Sequence, residues 1–72
     1  MKLVKTTKHH YVYELSEKEQ KSEEVKNGYK YLLFLKDNYE DFKPNFKDDI
    51  GYEDWEAGTL EEAMQFSASY ED

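Results

Sequence analysis

The sequence contains neither cysteine nor arginine, and its 72 residues include a single proline. A chain without cysteine can form no disulfide and no thiolate metal site. A chain without arginine lacks the side chain that most often makes bidentate contacts with phosphates and base edges. A lack of cysteine is also typical of reducing compartments, so we expect a cytoplasmic protein.

Long apolar runs are missing as well. The densest apolar stretch, Leu32-Leu33-Phe34-Leu35, is far too short to cross a bilayer. Residues 1–5 carry charge but no apolar run of the kind that signal peptides have. We therefore expect no membrane association, and the length predicts one small acidic domain over residues 1–72.

Aromatic side chains are abundant instead, with seven Tyr, four Phe and one Trp. Each large ring can bury ~150–250 Å² of surface, so a few rings can replace many aliphatic side chains in a small core. A chain of this size still buries only about 60% of the surface that its unfolded form exposes. We therefore expect a small margin of stability.

The charge is negative and unevenly distributed along the chain. The net charge is −7; residues 1–36 hold eight Lys and five acids, whereas residues 37–72 hold two Lys and twelve acids. The two halves therefore carry +3 and −10. Because nucleic acids repel an acidic protein, and because arginine is missing, direct nucleic-acid binding is disfavoured.

Two N-terminal segments have the composition of strands. Residues 2–7 contain β-branched residues, and residues 9–15 alternate so that Tyr11, Tyr13 and Leu15 share one face. Aromatic and β-branched side chains suit a pleated, half-buried surface. Both segments are therefore predicted as strands.

Residues 16–26 are the most polar part of the chain and allow two interpretations. Ser16 and Glu19 have the spacing of a capping box, which would begin a short helix. That helix would have almost no apolar stripe to hold it against a core.

The second interpretation is a β-hairpin. Asn27-Gly28 is a strong two-residue turn signal, because both residues accept a positive φ. In this arrangement residues 22–26 pair with residues 29–33. We favour the hairpin over residues 22–36 and keep the helix as the alternative.

Residues 29–36 are predicted as the central strand. Their two faces are both apolar, which is typical of a strand that is buried on both sides or paired along both edges. One face carries Tyr29, Tyr31, Leu33 and Leu35, and the other carries Leu32 and Phe34. A helix over residues 29–41 fits the same apolar residues and remains the alternative.

The C-terminal segment, residues 59–70, is predicted as an amphipathic helix that begins with a capping box at Thr59 and Glu62. Residues 52–57 are predicted as an edge strand. The fold class is therefore α+β, with a small antiparallel sheet of two to four strands and the C-terminal helix packed on one face. The predicted core consists of Tyr13, Leu15, Tyr31, Leu33, Leu35, Leu60, Ala63, Met64 and Phe66.

The two histidines, His9 and His10, are predicted to be exposed at the start of a strand. Neighbouring strand residues point to opposite faces, so the pair cannot ligate one metal ion together. The clustered carboxylates also lack the spacing of an EF-hand calcium loop. We expect neither a metal nor another cofactor.

No catalytic motif is present in the sequence. It contains no glycine-rich phosphate loop, no nucleophile elbow and no Cys-His pair. Ser67 and Ser69 have no histidine near them in the sequence. A short chain also has little interior in which the pKa of a general acid could be shifted. We expect a protein that is not an enzyme.

Residues 37–56 hold eight acids in twenty positions, interleaved with five aromatic residues. A run of charge is usually a solvated surface that keeps a protein soluble. Rings among carboxylates are also typical of a recognition face, where charge attracts a basic partner and rings supply contact energy. The candidate partner-binding residues are Asp37, Glu40, Asp41, Asp48, Asp49, Tyr52, Glu53, Asp54 and Trp55.

These features predict a non-enzymatic acidic binding protein. Basic sites often bind nucleic acid, so we expect an inhibitor whose carboxylates stand in for phosphates on a nuclease or another nucleic-acid-binding complex. Small size and acidity are typical of phage or mobile-element proteins that act against host defence. The alternative is a structural or assembly domain that forms a homodimer through a strand edge at residues 2–7 or 52–57. A regulatory enzyme subunit or metal sensor is a third possibility.

Overall fold

A computed structural model describes residues 1–23, 25, 28–38 and 46–70. It confirms the α+β fold class: a four-stranded antiparallel sheet carries the C-terminal helix on one face. The strands are β1 (Lys2–Thr6), β2 (His10–Glu14), β3 (Tyr31–Leu35) and β4 (Trp55–Ala57), and the helices are α1 (Glu17–Gln20), α2 (Phe46–Asp49) and α3 (Leu60–Ser69). None of these helices has the length and apolar character that crossing a bilayer requires.

The strand order across the sheet is β1-β2-β3-β4. The central position of β3 was predicted from its two apolar faces, and the strand does pair along both edges. Leu35 lies opposite His10 on β2, and Leu33 lies opposite Trp55 on β4. The predicted edge strand is present but short, because β4 spans only three residues. Residues 31–35 form a strand, so a helix over this part of 29–41 is wrong.

Strand alternation divides the apolar residues between two clusters, one on each face of the sheet. The α3 face holds Val12, Leu33, Ala57 and Ala63, with Val4, Tyr31 and Phe66 packed against them. The opposite face holds Tyr13, Leu15, Val25, Leu32 and Phe34, with Met1, Tyr11, Tyr29 and Ile50 packed against them. Because both faces are covered, β3 carries the three consecutive buried residues Leu32, Leu33 and Phe34.

The predicted hairpin over residues 22–36 is wrong. Both edges of β3 are occupied by β2 and β4, so no edge remains for residues 22–26. Residues 17–20 of the polar segment form α1 instead, with both capping-box hydrogen bonds present between Ser16 and Glu19. Val25 then turns its side chain into the cluster opposite α3, where it is buried. Gly28 has the positive φ that the turn signal implied.

Helix α3 begins as predicted, because the Thr59 side chain accepts a hydrogen bond from the Glu62 N–H. The Glu62 carboxylate accepts from the Gly58 N–H, one residue before the expected donor of a full capping box. Leu60 was predicted in the core and is exposed. The buried stripe of α3 consists of Ala63 and Ser67, and Leu60 lies in the first turn, just beyond the end of β4.

Candidate functional site

Three chain segments meet at the end of the sheet where β3 finishes, which we call the Leu35 end. The register places His10 beside Leu35. The Lys36 N–H donates to the His9 carbonyl at 2.8 Å, which holds the turn between β1 and β2 against the end of β3. The Asp54 N–H donates to the Leu33 carbonyl at 2.9 Å, which brings the start of β4 to the same end.

A row of rings crosses the α3 face at the Leu35 end. The Trp55 and Phe66 rings stack flat, with centroids 4.8 Å apart and an angle of 2° between planes. The His10 ring meets Phe66 edge-on at 5.6 Å and Tyr70 edge-on at 5.0 Å. The terminal rings are exposed, at 52% for Trp55 and 44% for Tyr70, whereas His10 between them is fully buried.

Two of the predicted acids take part in local structure at this end. The Asp54 carboxylate accepts a hydrogen bond from the Leu35 N–H at 2.7 Å, and the Asp54 side chain remains exposed. The Glu53 carboxylate accepts from the Gly51 N–H at 2.8 Å and is half-buried. Charge-assisted bonds of this kind fix the direction of a carboxylate. Asp37 is exposed in a 3-10 turn, Lys36–Asn38, directly after β3.

Of the nine predicted partner-binding residues, Tyr52, Glu53, Asp54 and Trp55 lie in the segment that enters β4, and Asp37 directly follows the end of β3. Tyr52 is 69% exposed and precedes the half-buried Glu53 and the exposed Asp54 and Trp55. Asp49 is half-buried at the end of α2. Glu40 and Asp41 lie outside the described residues, and only the backbone of Asp48 is described.

The prediction that His10 is exposed is wrong. His10 lies on the same face of β2 as Val12, so α3 covers it completely. Polar partners make this burial tolerable: Nδ1 of His10 lies 2.8 Å from Oγ of Ser67, which lies 2.6 Å from Oγ1 of Thr7. The His10 backbone N–H also donates to Thr7 Oγ1 at 2.8 Å. Sequence patterns gave no sign of this network.

The network leaves one ring nitrogen without a partner. Nε2 of His10 is buried and makes no hydrogen bond within the described residues. If Nδ1 carries the proton, it donates to Ser67 and the Nε2 lone pair is unpaired; if Nε2 carries it, the Nε2–H is unpaired. Burial lowers the pKa of His10 below its ordinary value of 6.5, the Asp54 charge opposes this, and His9 adds to it. His10 is therefore neutral at pH 7.

A hydroxyl hydrogen-bonded to imidazole is also the contact that activates a serine nucleophile. Ser67 is only 4% exposed, however, and lies in the last turn of α3. Helix C-termini carry partial negative charge, and no basic residue lies in this turn. An oxyanion formed at Ser67 would be repelled rather than stabilised. The contact between Ser67 and His10 is therefore better suited to holding α3 against the sheet than to acyl transfer.

A surface cleft of about 320 Å³ opens beside this network, between the β1–β2 turn and α3. Its walls are formed by Thr7, Lys8, His9, Met64, Ser67 and Ala68. Across residues 1–23, 25, 28–38 and 46–70, no three His, Asp or Glu side chains approach closely enough to hold a metal ion.

Comparisons of the chain with protein-family models, with curated proteins and with solved structures each gave no match. The function must therefore be argued from the geometry of the Leu35 end. Its two distinctive features are exposed rings beside oriented carboxylates, and a buried histidine that ties α3 to the sheet.

Proposed function

We propose that this chain is a non-enzymatic binding protein whose acidic aromatic surface occupies a basic site on a partner protein. We define the acidic aromatic surface as Asp37, Tyr52, Glu53, Asp54 and Trp55. The observation that carries the proposal is the half-exposed Trp55 ring, fixed flat against Phe66 and adjacent in the chain to the exposed Asp54.

A fixed, exposed ring is a good source of contact energy. Tryptophan is enriched among the residues that dominate binding free energy. Stacking on Phe66 restrains the ring before a partner arrives, so less side-chain entropy is lost on binding. Covering the exposed half of such a ring, roughly 100 Å², is worth about 2–3 kcal/mol by area.

The strand order places opposite charges at the two edges of the sheet. Lys2 and Lys5 are exposed on β1, at one edge of the sheet, and Asp54 and Glu56 belong to the β4 segment at the other edge. These lysines and these acids therefore lie at opposite edges of the sheet. A partner with a basic site is attracted to the β4 edge and repelled from the β1 edge, which favours one docking orientation.

The partner class follows from the same chemistry. Protein sites that attract clustered carboxylates are typically those that bind phosphates, so we propose a nuclease or another nucleic-acid-binding complex as the target. The carboxylates then compete with nucleic acid for that site. A phage or mobile-element protein that blocks a host defence complex in the cytoplasm fits this description.

A homodimer through β1 has less support. The edge of β1 carries Lys2 and Lys5 and a register shift between Leu3 and Lys5. Lysines and irregular pairing are features by which natural sheets prevent edge-to-edge association. A different protein is therefore a better occupant of this molecule's surface than a second copy.

The proposal can be tested with the immobilised full chain and a bacterial lysate. We expect captured proteins to be released by salt and by added duplex DNA, and to include nucleic-acid-binding proteins. Trp55→Ala and Asp37→Lys should each reduce capture about tenfold or more. Glu17→Lys is the matched control for the charge reversal, because Glu17 is exposed on α1 at the opposite end of the sheet.

Two results would overturn the proposal. The first is capture that ignores ionic strength, because electrostatic attraction between exposed charges is screened by salt. The second is equal capture by the wild type and by Asp37→Lys, provided that circular dichroism shows both chains folded. Asp37→Lys is the decisive variant, because Trp55→Ala also removes a packing contact with Phe66 and could reduce capture by destabilising the fold.

A further inference from the structure

We propose that protonation of His10 releases the last turn of α3 and thereby frees the Trp55 ring of the acidic aromatic surface below neutral pH. This response to protonation requires no partner and is a property of the chain itself. Its consequence for a partner rests on the proposed function, because the surface that responds is the one assigned to binding.

First, buried polar contacts hold the end of α3 to the sheet. Ser67 is the buried polar residue of α3, and its hydroxyl contacts both His10 on β2 and Thr7 in the β1–β2 turn. Tyr70, at the end of the helix, adds ring contacts to His9 at 5.3 Å and to His10 at 5.0 Å. The C-terminal half of α3 is therefore held to this end of the sheet around a single imidazole.

The second step is the effect of a proton on that imidazole. Neutral His10 already leaves Nε2 unpaired, and the protonated ring would place an N–H and a full positive charge in the same buried position. Burying a charge without a hydrogen-bond partner is far more costly than burying a neutral polar group. Opening the last turn of α3 gives the charged ring access to water, so protonation favours the open form.

The third step concerns the charges around the ring. His9 on the same segment opposes protonation, and Asp54 before β4 favours it without a hydrogen bond to the ring. Tyr70, which directly follows α3, presents its ring edge-on to His10. Lys8, in the β1–β2 turn beside the cleft, is cationic and does not stabilise a positive charge on His10. The charge of Lys36 lies over the Tyr11 ring on the opposite face.

The fourth step transmits the opening to the binding surface. Phe66 precedes Ser67 in α3 and lies between the His10 ring and the Trp55 ring. A last turn that leaves the sheet carries Phe66 with it, so Trp55 loses the plane that fixes it. The backbone of this segment would stay anchored to β3, through the Asp54 N–H to the Leu33 carbonyl and through the Asp54 carboxylate at the Leu35 N–H.

Trp55 is the single tryptophan of the chain, so its fluorescence reports the state of the surface without any partner. In the full wild-type chain we expect the emission to change as the pH falls from 8 to 5. The open fraction should rise by up to about tenfold per pH unit between the ordinary value of 6.5 and the lower pKa of the buried His10 ring. The change should be absent in His10→Gln and retained in His9→Gln, the matched control.

A second measurement keeps the test valid if His10→Gln does not fold. Amide exchange by NMR on the wild type should accelerate on acidification at Tyr70, whose N–H donates to the Ser67 carbonyl, after correction for intrinsic rates. The amides of β2 and β3 should keep their protection. Equal loss of protection in α3 and in the central strands would mean global unfolding and would overturn the inference.

The two proposals fail separately. A wild-type Trp55 emission that is constant between pH 8 and 5 ends the inference about His10, whatever the chain binds. Capture at pH 7.5 that is unaffected by Asp37→Lys ends the proposed function, even if the emission changes as expected. Both proposals gain support if the proteins released by duplex DNA at pH 7.5 also dissociate at pH 5.5 from the wild type but not from His10→Gln.

Discussion

The Oγ of Ser67 lies 2.8 Å from Nδ1 of His10, although 57 positions separate the two residues in the chain. This contact joins the C-terminal helix to the second strand in a region where both side chains are excluded from water. Thr7 extends the contact to the β1–β2 turn. The three side chains form a polar tie within an otherwise apolar interface, and its energetics can be measured directly.

Ser67→Ala should destabilise the fold by about 1–3 kcal/mol, because it leaves Nδ1 of His10 buried without a partner. Urea denaturation of the full chain measures this loss. Ser69→Ala is the matched control on the same helix: Ser69 is exposed and, among the described residues, its hydroxyl donates only to the Gln65 carbonyl, so its removal should cost no more than about 0.5 kcal/mol. Equal losses in the two variants would contradict the structural role of the tie.

Stability should fall as the pH drops through the region just below 6.5. The unfolded chain takes up a proton on His10 near this ordinary value, whereas burial lowers the folded pKa. The unfolded state therefore holds more protons between the two values, and the free energy of unfolding decreases with falling pH by at most about 1.4 kcal/mol per unit. The contribution is complete above 6.5 and absent below the folded pKa.

Glu19 gives a separate window at lower pH. Burial raises the pKa of Glu19, but hydrogen bonds from the Met1 amino group and from Ser16, together with the amino charge, lower it below 4.5 overall. Its stabilising contribution is present above that value and is lost as the pH falls through the folded pKa. Urea titrations should therefore lose the upper step in His10→Gln and the lower step in Glu19→Gln. Loss of both steps in either variant would contradict the assignment.

Local patterns were sufficient for most of the fold. The strand segments, helix α3 and the central position of β3 were predicted from alternation, a capping box and two apolar faces, whereas α1 was kept only as the alternative to a hairpin. The hairpin prediction was wrong because the Asn-Gly signal is also local and does not show which segment pairs with β3. An Asn-Gly pair permits a turn, but the edge of β3 pairs with Trp55–Ala57, more than twenty positions away in the chain, and Val25 is buried in the cluster opposite α3.

Sequence patterns likewise predicted only the part of the candidate site that depends on neighbours in the chain. Exposed Asp54 and Trp55 were predicted from a contiguous acidic aromatic segment, where neighbours in sequence are neighbours in space. The Ser67–His10 contact could not be predicted, because it depends on how α3 lies across the sheet. A lone histidine and a serine in a helix have no spacing rule that links them. The Asp54 hydrogen bond to Leu35 depends likewise on the pairing of β4 with β3.

Gly58→Ala should be destabilising because the segment between β4 and α3 passes close to another backbone. A Cβ at Gly58 would lie 2.9 Å from the Gly28 carbonyl oxygen, so one of the two chain segments must move. We expect a loss of about 1–3 kcal/mol, the usual cost of overpacking. Gly28→Ala meets no atom within 4 Å and suffers only from its positive φ, so it should lose about 1–2 kcal/mol.

The difference between the two glycine variants lies in the neighbours they disturb. Gly58→Ala should also increase amide exchange at Lys30, whose N–H donates to Ala57 at the end of β4. Gly28→Ala should leave that amide protected. Identical exchange at Lys30 in both variants would show that the close approach carries no strain.

Phe66→Leu should detach the Trp55 ring from α3 while keeping an apolar side chain in the helix. The flat stack on Phe66 disappears, and the His10 ring keeps only Tyr70 of its two edge-on neighbours, Phe66 and Tyr70. Such ring pairs are worth about 0.5–1.5 kcal/mol beyond the area they bury, so the variant should fold with reduced stability. Its Trp55 emission at pH 8 should already resemble that of the acidified wild type. Met64→Leu changes a half-buried residue of the same helix outside the ring row and should leave the emission unchanged. If Phe66→Leu instead emits like the wild type at pH 8 and still responds to acid, then Phe66 does not connect His10 to the binding surface.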